Sequence, residues 1–545
     1  MNAMLDPSLY ADSFARDNLP PAELWPAIET DAALLSYPTR MNAAVELLDR
    51  MVEKGFGARP CIRSEEGGVW SYADLLDNAN RIAAILTDEM GVVPGNRVLL
   101  RAANTPMLAA CWFAVLKAGA IAVTTMPLLR ARELRYMLEK ARIGFALCDA
   151  SLGEELAAAS SQLSPPPRTL YFHGHAADGL EARMAERDGS FANFIPSHDD
   201  VALIAFTSGT TGRAKATMHF HRDVLAICDL FPRSTLEPAA ADIFCGTPPL
   251  GFTFGLGGIL LFPMRVGAST LLLPRATPDL LLEMIERHRV TTLFTAPTMY
   301  RAMTELAARR DLSSLRACVS AGEFLPGPIL EAWRNATGIT IIDGLGSTEM
   351  LHIFIAAAGD AVRPGATGKA IPGYRAMIFD DAMRPVPTGT VGRLGVRGPT
   401  GCRYLADPDR QQSYVCDGWN LTGDAYRMDE DGYFWFEART DDMIISAGYN
   451  ISGAEIEAVL LEHPAIRECA VVAWPDAERG HIVKACVVLK DPAGAGDGMT
   501  KALQEFVKGQ IAPYKYPRAI QYLVALPRTE TGKVQRFVLR VQDRQ

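Results

Sequence analysis

The sequence has no excess of positive charge. Its 54 lysines and arginines are outnumbered by 63 aspartates and glutamates, and the formal net charge is −9. A broad nucleic-acid surface needs clustered basic side chains, so the composition argues against nucleic acid as a partner. Any positive field that attracts an anionic ligand must therefore be local.

The sequence also lacks an uninterrupted apolar run long enough to cross a membrane. Its most apolar stretch, Leu256 to Pro274, is broken by Pro263 and Arg265, whereas a spanning helix needs about 20 consecutive apolar residues. The opening residues, Met1 to Asp6, contain no basic patch followed by an apolar core, which a secretory signal requires. We therefore expect a cytoplasmic protein with no membrane partner.

Cysteine pairs with metal-site or redox spacing are missing. The ten cysteines stand singly, many of them inside apolar runs, as reduced core residues do. Short-period repeats and low-complexity tracts are missing as well. The cysteines therefore indicate neither a disulfide framework nor a structural metal site.

What the sequence does contain is an alternation of helical and strand-like segments over 545 residues, more than one ordinary domain needs. Helices are predicted from Ser71 to about Met90, Thr105 to Lys117, Pro278 to Arg287 and Pro326 to Thr337. Strands are predicted at Arg97 to Leu100, Ala120 to Thr124, Ala268 to Leu273 and Thr291 to Ala296. Such alternation predicts sheets covered by helices, an α/β architecture.

The composition changes after about Val391, towards short strands, aromatic residues and Gly-Asp turns. Past Asp441, the segment Ser452 to Glu455 has the capping-box pattern of a helix that continues to Glu462. Strands at Ala470 to Trp474 and Ala485 to Leu489 and a helix at Lys501 to Gln510 complete the pattern. These elements predict a separate α+β domain of roughly a hundred residues.

The most informative segment is Thr207-Ser-Gly-Thr-Thr-Gly-Arg-Ala-Lys215, which follows the apolar run Val201 to Phe206, a predicted buried strand. Gly209 and Gly212 allow a tight turn, while the hydroxyls and Lys215 supply donors and a charge that suit a polyphosphate. The spacing differs from the common Gly-x4-Gly-Lys-Ser/Thr loop, which disfavours kinase-like and GTPase-like chemistry. A plain polar turn is the alternative interpretation.

This loop resembles the phosphate loop of the adenylate-forming superfamily, which includes acyl-CoA synthetases, peptide-synthetase adenylation domains and luciferases. Four later segments resemble further motifs of that family in the same order: Asp343 to Glu349 (adenine and metal), Leu421 to Asp424 (ribose), Arg439 to Ile444 (hinge) and Pro527 to Arg536 (catalytic lysine loop). The resemblance spans most of the chain.

The resemblance implies an α/β fold in two domains. Residues 1–440 would form a large N-terminal domain of helix-covered sheets with a small barrel-like portion, and would hold the ATP and acid sites. Residues 441–545 would form a smaller, mobile α+β lid that carries the catalytic lysine and the CoA contacts.

The resemblance also implies ATP, Mg²⁺ and coenzyme A as ligands. Lys533 would bring a positive charge between the carboxylate and the α-phosphate, Thr348 would bond that phosphate, and Glu349 would hold Mg²⁺. A solvated surface lysine is the alternative for Lys533, and a turn residue is the alternative for Asp424. The implied ATP-site residues are Thr207, Ser208, Gly209, Thr210, Thr211, Gly212, Lys215, Ala321, Gly322, Glu323, Asp343, Gly344, Leu345, Ser347, Thr348, Asp424 and Arg439.

The lid would also serve the second half-reaction, in which the CoA thiol must reach the acyl carbonyl. Asp441 matches the family's hinge residue, and Gly448 and Tyr449 would face the pantetheine of CoA. Arg479 would meet a CoA phosphate, although an exposed structural arginine is an equally good interpretation. The sequence leaves monomer and homodimer open.

The segments around Leu250 to Gly258 and Met350 to Phe354 resemble the aryl pocket of benzoate–CoA ligases, and Phe14 to Pro21 resembles ligases of 2-aminobenzoate. The implied acid-site residues are Phe252, Thr253, Phe254, Gly255, Ala321, Gly346, His352 and Ile353. A flat apolar slot suits a planar ring, and the Thr253 hydroxyl could bond an ortho-amino group. We therefore expect 2-aminobenzoate as the acid, with benzoate next. Thr253 as an ordinary packing residue and His352 as a core histidine remain open alternatives.

Two residues depart from the family's pattern, and two other functions compete with the aryl-acid ligase. Leu345 replaces the family's usual aromatic against adenine and loses its π contribution, and Ala438 replaces the usual glycine before Arg439. A peptide-synthetase adenylation domain would need an acidic pocket residue that Phe252 to Gly255 lacks. A non-catalytic acyl-adenylate binder would have no need of Lys533, Glu349 and Asp441.

Overall fold

The computed structural model describes residues 5–31, 33–174, 178–207, 214–439, 444–446, 449–476, 480–511, 515–528, 532 and 534–540. Its α-helices are α1 (Phe14–Asp17), α2 (Tyr72–Ala84), α3 (Pro106–Lys117), α4 (Ala131–Lys140), α5 (Gly153–Ser160), α6 (Leu180–Ala185), α7 (His221–Asp229), α8 (Thr253–Leu256), α9 (Phe262–Val266), α10 (Pro278–His288), α11 (Pro297–Ala307), α12 (Gly327–Thr337), α13 (Pro408–Tyr414), α14 (Gly453–Glu462), α15 (Asp497–Gln510) and α16 (Arg536–Leu539).

The strands lie between these helices in chain order. They are β1 (Pro60–Ser64), β2 (Val69–Ser71), β3 (Arg97–Arg101), β4 (Ile121–Thr125), β5 (Phe145–Asp149), β6 (Arg168–Phe172), β7 (Val201–Thr207), β8 (Lys215–Phe220), β9 (Ile243–Gly246), β10 (Ser269–Leu272), β11 (Thr292–Thr295), β12 (Ala317–Ala321), β13 (Ile341–Gly346), β14 (Ile353–Ala356), β15 (Ala366–Ala370), β16 (Arg375–Phe379), β17 (Gly392–Arg397), β18 (Val415–Cys416), β19 (Trp419–Met428), β20 (Phe434–Arg439), β21 (Ile444–Ser446), β22 (Tyr449–Ile451), β23 (Ile466–Asp476), β24 (Gly480–Leu489) and β25 (Ala519–Tyr522).

Two helix-covered sheets form the large part of the molecule. The first has the order β6-β5-β3-β4-β7-β8 and is parallel up to the antiparallel pair β7–β8. The second contains the parallel strands β10, β9, β11, β12 and β13. It continues through β14 and β15 into the antiparallel strands β20, β19, β17 and β16.

A smaller unit follows with its own sheet, β23-β24-β25, covered by α14 and α15. Its core contains Ile456, Leu460, Val471 and Leu503. The predicted α/β class, with a large sheet-rich part and a smaller C-terminal part, is confirmed. The predicted boundary at residues 440/441 lies outside the described residues and stays a prediction.

Local signals explain why the predicted helices begin and end where they do. Ser71 and Asp74 form a capping box at α2, since the Asp74 N–H donates to Ser71 Oγ and the Ser71 N–H to Asp74 Oδ2. At α3, Thr105 Oγ1 accepts from the Leu108 N–H and caps the helix by this one bond. Gly338, with φ of +76°, ends α12. At α14 the Ser452 cap is present, while the Glu455 carboxylate binds Lys515 Nζ at 2.6 Å.

Two strands are longer than predicted. β23 and β24 form one hairpin whose pairing runs from Ile466↔Leu489 to Asp476↔Gly480. The predicted strands were Ala470 to Trp474 and Ala485 to Leu489, and proline and aspartate generally disfavour strands. Cross-strand pairing extends the ladder through Pro475 nevertheless.

The apolar stretch Leu256 to Pro274 lies inside the core as part of α8, α9 and β10, joined by a π-helical turn at Gly257–Leu261. None of the helices in the ranges given above is both long and apolar enough to cross a membrane. The ten cysteines are free thiols, and all except Cys416 and Cys469 are buried.

A fully buried ion pair joins two distant segments behind the β7–β8 hairpin. Arg403 Nη1 donates to Asp223 Oδ2 at 2.8 Å, and both side chains are 0% exposed. The same Asp223 oxygen accepts from the Phe220 N–H at the start of α7. The pair therefore ties the segment that contains Tyr404 to β8 and α7.

We expect Asp223→Asn to destabilise the protein by up to about 3–5 kcal/mol, because it leaves the Arg403 guanidinium charged and without its counter-ion in the core. Thermal unfolding followed by circular dichroism measures the effect. The matched control is the double variant Asp223→Asn/Arg403→Met, which removes both charges and should regain part of the loss. An unchanged midpoint for Asp223→Asn would contradict this account.

Candidate active site

The predicted site residues collect at the carboxyl ends of strands from both large sheets. Thr207 is the last residue of β7, Ala321 the last of β12 and Gly346 the last of β13. In open α/β sheets this edge is where ligands bind, because loops and helix N-termini converge there. The topology therefore brings segments far apart in sequence to one place.

Lys215, Glu349 and Tyr404 form the charged centre of the site. Thr207 pairs with Lys215 across the β7–β8 hairpin, and Lys215 Nζ lies 3.9 Å from Glu349 Oε1. The buried Tyr404 donates its hydroxyl to the same Glu349 oxygen at 2.7 Å. Burial and the neighbouring Cys402 and Glu349 raise the Tyr404 pKa, so the phenol keeps the proton that it donates.

Glu349 suits a divalent cation. A carboxylate is the oxygen ligand that Mg²⁺ prefers, and Mg²⁺ in phosphate sites takes one or two protein carboxylates beside phosphate oxygens. Tyr404 fixes one carboxylate oxygen, and Glu349 is only 7% exposed. The donor set therefore fits the predicted metal.

His219 donates a hydrogen bond to the backbone of Thr348. Its Nε2 lies 2.8 Å from the Thr348 carbonyl oxygen, which requires the Nε2–H tautomer. Burial lowers the pKa of His219 to about 4, so the ring is neutral at physiological pH. The Thr348–Glu349 segment is thus fixed by a neutral donor on β8, the strand that begins with Lys215.

Asp343 and the Ser320 to Glu323 segment lie side by side. β12 and β13 run parallel with Ser320 opposite Asp343 and Ala321 opposite Gly344. Burial raises the pKa of the Asp343 carboxyl well above its usual range, and Ser320 Oγ is buried with no partner in the described chain. This pair of strand ends offers polar atoms in an apolar wall, as an adenine site requires.

Asp424 and Arg439 form a second charged pair. They face each other across β19 and β20, with Arg439 Nη1 2.7 Å from Asp424 Oδ1. Gly423 has φ of +76°, and a Cβ there would lie 2.8 Å from Arg439 Nη2, so only glycine fits. Burial, together with Asp424 and Asp343, the carboxylates predicted for the ribose and the adenine, raises the pKa of Tyr426.

The predicted acid-site residues surround α8. Phe252 caps this short helix, Thr253 begins it, and a Cβ on Gly255 would collide with the carbonyl oxygens of Pro248 and Pro249. Ile353 packs directly over Gly344, where a side chain would overlap its Cδ1. The acid and adenine residues are therefore adjacent.

His352 is buried among aromatic rings. The Phe262 ring lies 4.5 Å away in an edge-on arrangement, and Phe231 and Phe254 lie 5.8 Å away. Its Nε2 is 3.4 Å from the Phe254 carbonyl oxygen, and burial lowers its pKa to about 3. His352 is thus a neutral part of the wall beside Phe254.

Thr253 lies at the side of the same slot. It is 8% exposed, and no group in the described chain bonds its hydroxyl. Thr253 also lines a small cavity between α3, β4, β7 and α8.

The C-terminal unit reaches the Ser320 to Glu323 segment through Arg528. This residue donates to the Gly532 carbonyl oxygen at 2.6 Å and lies 3.7 Å from Glu323 Oε1. Its other terminal nitrogen binds Glu468 at 2.6 Å, and Glu468 also pairs with Arg301 of α11. Burial opposes ionisation of Glu468, but the arginines outweigh it and lower its pKa.

Several predicted residues lie outside the described residues, so their placement stays a prediction. They are Ser208, Gly209, Thr210, Thr211, Gly212, Asp441, Gly448, Arg479 and Lys533. Tyr449 is described only as part of the backbone of β22.

His219, Tyr404 and Arg528 were not among the predicted site residues. A signal for His219 exists, because alternate residues of a strand share a face and His219 follows Lys215 by four residues on β8. Tyr404 and Arg528 have no comparable local signal, since their partners Glu349 and Glu323 are remote in sequence.

Comparisons with known proteins agree with this geometry. The profile of the family described as AMP-binding enzyme matches residues 49–404, and that of the AMP-binding enzyme C-terminal domain matches residues 455–533. A benzoate–CoA ligase of Thauera aromatica is 33% identical over 511 residues, which cover 93% of this chain and 97% of the relative. A 3-hydroxybenzoate–CoA ligase of Aromatoleum sp. (strain CIB) is 30% identical, covering 92% and 96%.

Among solved structures, the anthranilate CoA ligase AuaEII in complex with anthranoyl-AMP is similar with a TM-score of 0.88 and 32% identity. It covers 94% of this chain and 98% of its own. A benzoate CoA ligase from Burkholderia xenovorans LB400 has a TM-score of 0.84 and 31% identity, covering 92% and 100%.

Proposed function

This chain belongs to the AMP-binding enzyme family and is an AMP-forming acid–thiol ligase for aryl acids, and from this premise we propose that its preferred acid is 2-aminobenzoate. In the first half-reaction a carboxylate oxygen attacks the α-phosphorus of ATP, and pyrophosphate leaves. In the second, the sulfur of CoA attacks the acyl carbon, and AMP leaves. The products are the aryl-CoA thioester, AMP and pyrophosphate.

We infer that the hydroxyl of Thr253 determines the choice of acid. It lies at the edge of a slot walled by Phe254 and the neutral His352, and it has no partner in the described chain. An ortho-amino group would donate to this oxygen, whereas benzoate would leave it unbonded. The similarity to ligases named for anthranilate and benzoate supports the same ring size.

The chemistry of the first step requires two anions to meet. We assign Lys215 and the backbone of the Thr207 to Gly212 loop to the phosphates, and Thr348 to the α-phosphate. Glu349 would hold Mg²⁺, which would screen the phosphate charge when bound. Preorganised donors of this kind stabilise charge that develops in the transition state.

Lys533 is assigned as the cation between the two reacting groups. Its neighbour Gly532 is held by Arg528, which also faces Glu323 at the adenine wall. That contact supports a lid position in which the lysine loop points towards the nucleotide. We assign Asp424 and Arg439 to the ribose and Asp343 to the adenine amino group.

The thioester step requires the lid to move. We assign Asp441 as the hinge, Gly448 and Tyr449 to the pantetheine and Arg479 to a CoA phosphate. Residues 1–440 then form the adenylation domain and 441–545 the lid.

A rate panel tests the proposal. Pyrophosphate release and thioester formation are measured with 2-aminobenzoate, benzoate, 2-fluorobenzoate and a medium-chain fatty acid. The proposal expects the highest kcat/KM with 2-aminobenzoate. A preference for benzoate would contradict 2-aminobenzoate as the preferred acid but not the aryl-acid ligase activity. Inertness towards all three aryl acids would contradict the aryl-acid assignment itself.

We expect Lys533→Ala to slow acyl-adenylate formation by roughly 10²–10³-fold, comparable to removing one preorganised donor. It should largely spare thioester formation from a supplied acyl-adenylate, because that step needs the other lid position. Pyrophosphate release and thioester formation are followed separately. Equal losses in both half-reactions would contradict the role given to Lys533.

We expect Thr253→Ala to shift the kcat/KM ratio of 2-aminobenzoate to benzoate towards benzoate, by about 1–3 kcal/mol at most, because a buried amino group loses its acceptor. Thr253→Ser keeps the hydroxyl and serves as the control that should retain the preference. If Thr253→Ala and Thr253→Ser give the same kcat/KM ratio, the Thr253 hydroxyl does not bind the ring substituent.

We expect His219→Leu to lower kcat for adenylation by about tenfold, since the Thr348 carbonyl loses its donor and the Thr348–Glu349 segment is released. His219→Gln should restore much of the rate, because its amide nitrogen reaches the same position. The matched control is Thr217→Val, two residues away on β8, whose buried hydroxyl has no partner in the ranges described. Equal effects of leucine and glutamine would show that His219 acts by packing alone.

A further inference from the structure

A chain of charged side chains joins the C-terminal unit to the large part of the molecule. Glu468 of β23 uses both of its carboxylate oxygens in this chain. Its Oε2 accepts from Arg528 Nη2 at 2.6 Å, and its Oε1 lies 3.2 Å from Arg301 Nη2. Arg301 belongs to α11 of the large part, and its Nη1 donates to the Arg467 carbonyl oxygen at 2.9 Å. Glu468 therefore links an arginine of its own unit to an arginine of the large part.

Arg528 connects the same chain to the loop of Lys533. Its backbone pairs with Val534 in an antiparallel bridge, which closes the base of this loop. Its Nη1 donates to the carbonyl oxygen of Gly532 at 2.6 Å, and Gly532 directly precedes Lys533 in the sequence. The Arg528 side chain thus holds the loop beside Lys533, and Glu468 holds the Arg528 side chain.

The charges on the two sides of the contact are complementary. Glu468 meets Arg301, and Arg528 Nη1 lies 3.7 Å from Glu323 Oε1 at the end of β12. Although burial opposes ionisation of Glu468, the arginines lower its pKa, so its carboxylate is charged at physiological pH. Solvent and salt screen such partly exposed charges within about 8–10 Å. The attraction therefore acts only while the C-terminal unit stays in this position against the large part.

We infer that Glu468 and Arg301 are positioning residues for acyl-adenylate formation, because through Arg528 they hold the loop of Lys533 against the large part. They take no part in the thioester step. The inference rests on the proposed roles of Lys533 and of the moving lid, and it adds the contacts that favour one lid position over the other. Contacts present in one of two positions shift the population towards that position.

The first test is Glu468→Gln, which removes the charge and keeps the size of the side chain. It should slow acyl-adenylate formation about 3–10-fold, the range expected when two partly exposed ion pairs are lost. Thioester formation from a supplied acyl-adenylate and CoA should keep or exceed the wild-type rate, because the other lid position is no longer disfavoured. The measured quantity is the ratio of the two half-reaction rates, adenylation over thioester formation. A general loss of folded protein would leave this ratio unchanged.

Glu505→Gln is the matched control, since it makes the same substitution in the same unit. Glu505 pairs with Lys508 of its own helix, α15, at 2.7 Å. The half-reaction ratio should therefore stay at the wild-type value.

A double-mutant cycle with Arg301→Gln tests the contact itself. Arg301→Gln alone should lower the ratio, and the double variant should fall no further than Glu468→Gln. Arg301→Gln also covers the case in which Glu468→Gln does not fold. Equal losses in both half-reactions, unchanged ratios in the folded variants, or additive effects of the two substitutions would overturn the inference.

Failure of the inference and failure of the proposed function give different results. The ratio can be measured with any acid that the enzyme adenylates, so rejection of 2-aminobenzoate would contradict only the preferred acid. Wild-type adenylation by Lys533→Ala would contradict the role of Lys533, and the inference would fall with it. If Lys533→Ala loses adenylation while the ratio does not respond to Glu468 or Arg301, only the positioning role is wrong.

Discussion

The repulsion between a carboxylate and a phosphate ester is the constraint on which the rest of the site depends. Two unit charges 4 Å apart repel by about 1 kcal/mol in water and about 4 kcal/mol at a protein surface with an effective dielectric of 20. A site that excludes water to protect the acyl-adenylate makes this repulsion stronger. The positive groups must therefore be placed before the substrates arrive, because moving them during the reaction would add to the barrier.

In the structure, a lysine and a glutamate of opposite charge already lie near one another. Lys215 Nζ lies 3.9 Å from Glu349 Oε1. At this distance the two charges attract each other but form no short hydrogen bond. Tyr404 takes the closer position on the carboxylate, at 2.7 Å. Because a neutral phenol binds that oxygen, Glu349 keeps its orientation, and under the proposed function Lys215 would turn to a phosphate.

Local signals predicted the scaffold well, and long-range contacts account for what they missed. The cap at Ser71, the glycine stop at Gly338 and the apolar strand before Thr207 depend on neighbours a few residues away, and the structure confirms them. The partners of Tyr404 and Arg528 come from other parts of the chain. No periodicity encodes such pairs, so only the assembled sheets reveal them.

The predicted acid slot is uncharged, whereas the charged side chains lie at the predicted nucleotide site. Its shape follows from glycine, since a Cβ on Gly257 would enter the His352 ring and one on Gly258 would enter the Phe294 ring. Burial keeps His352 neutral by lowering its pKa to about 3, so this wall adds no charge of its own. Under the proposed function, the carboxylate would therefore be held from the nucleotide end, and the slot would distinguish one ring from another by shape and by a few uncharged hydrogen-bonding groups.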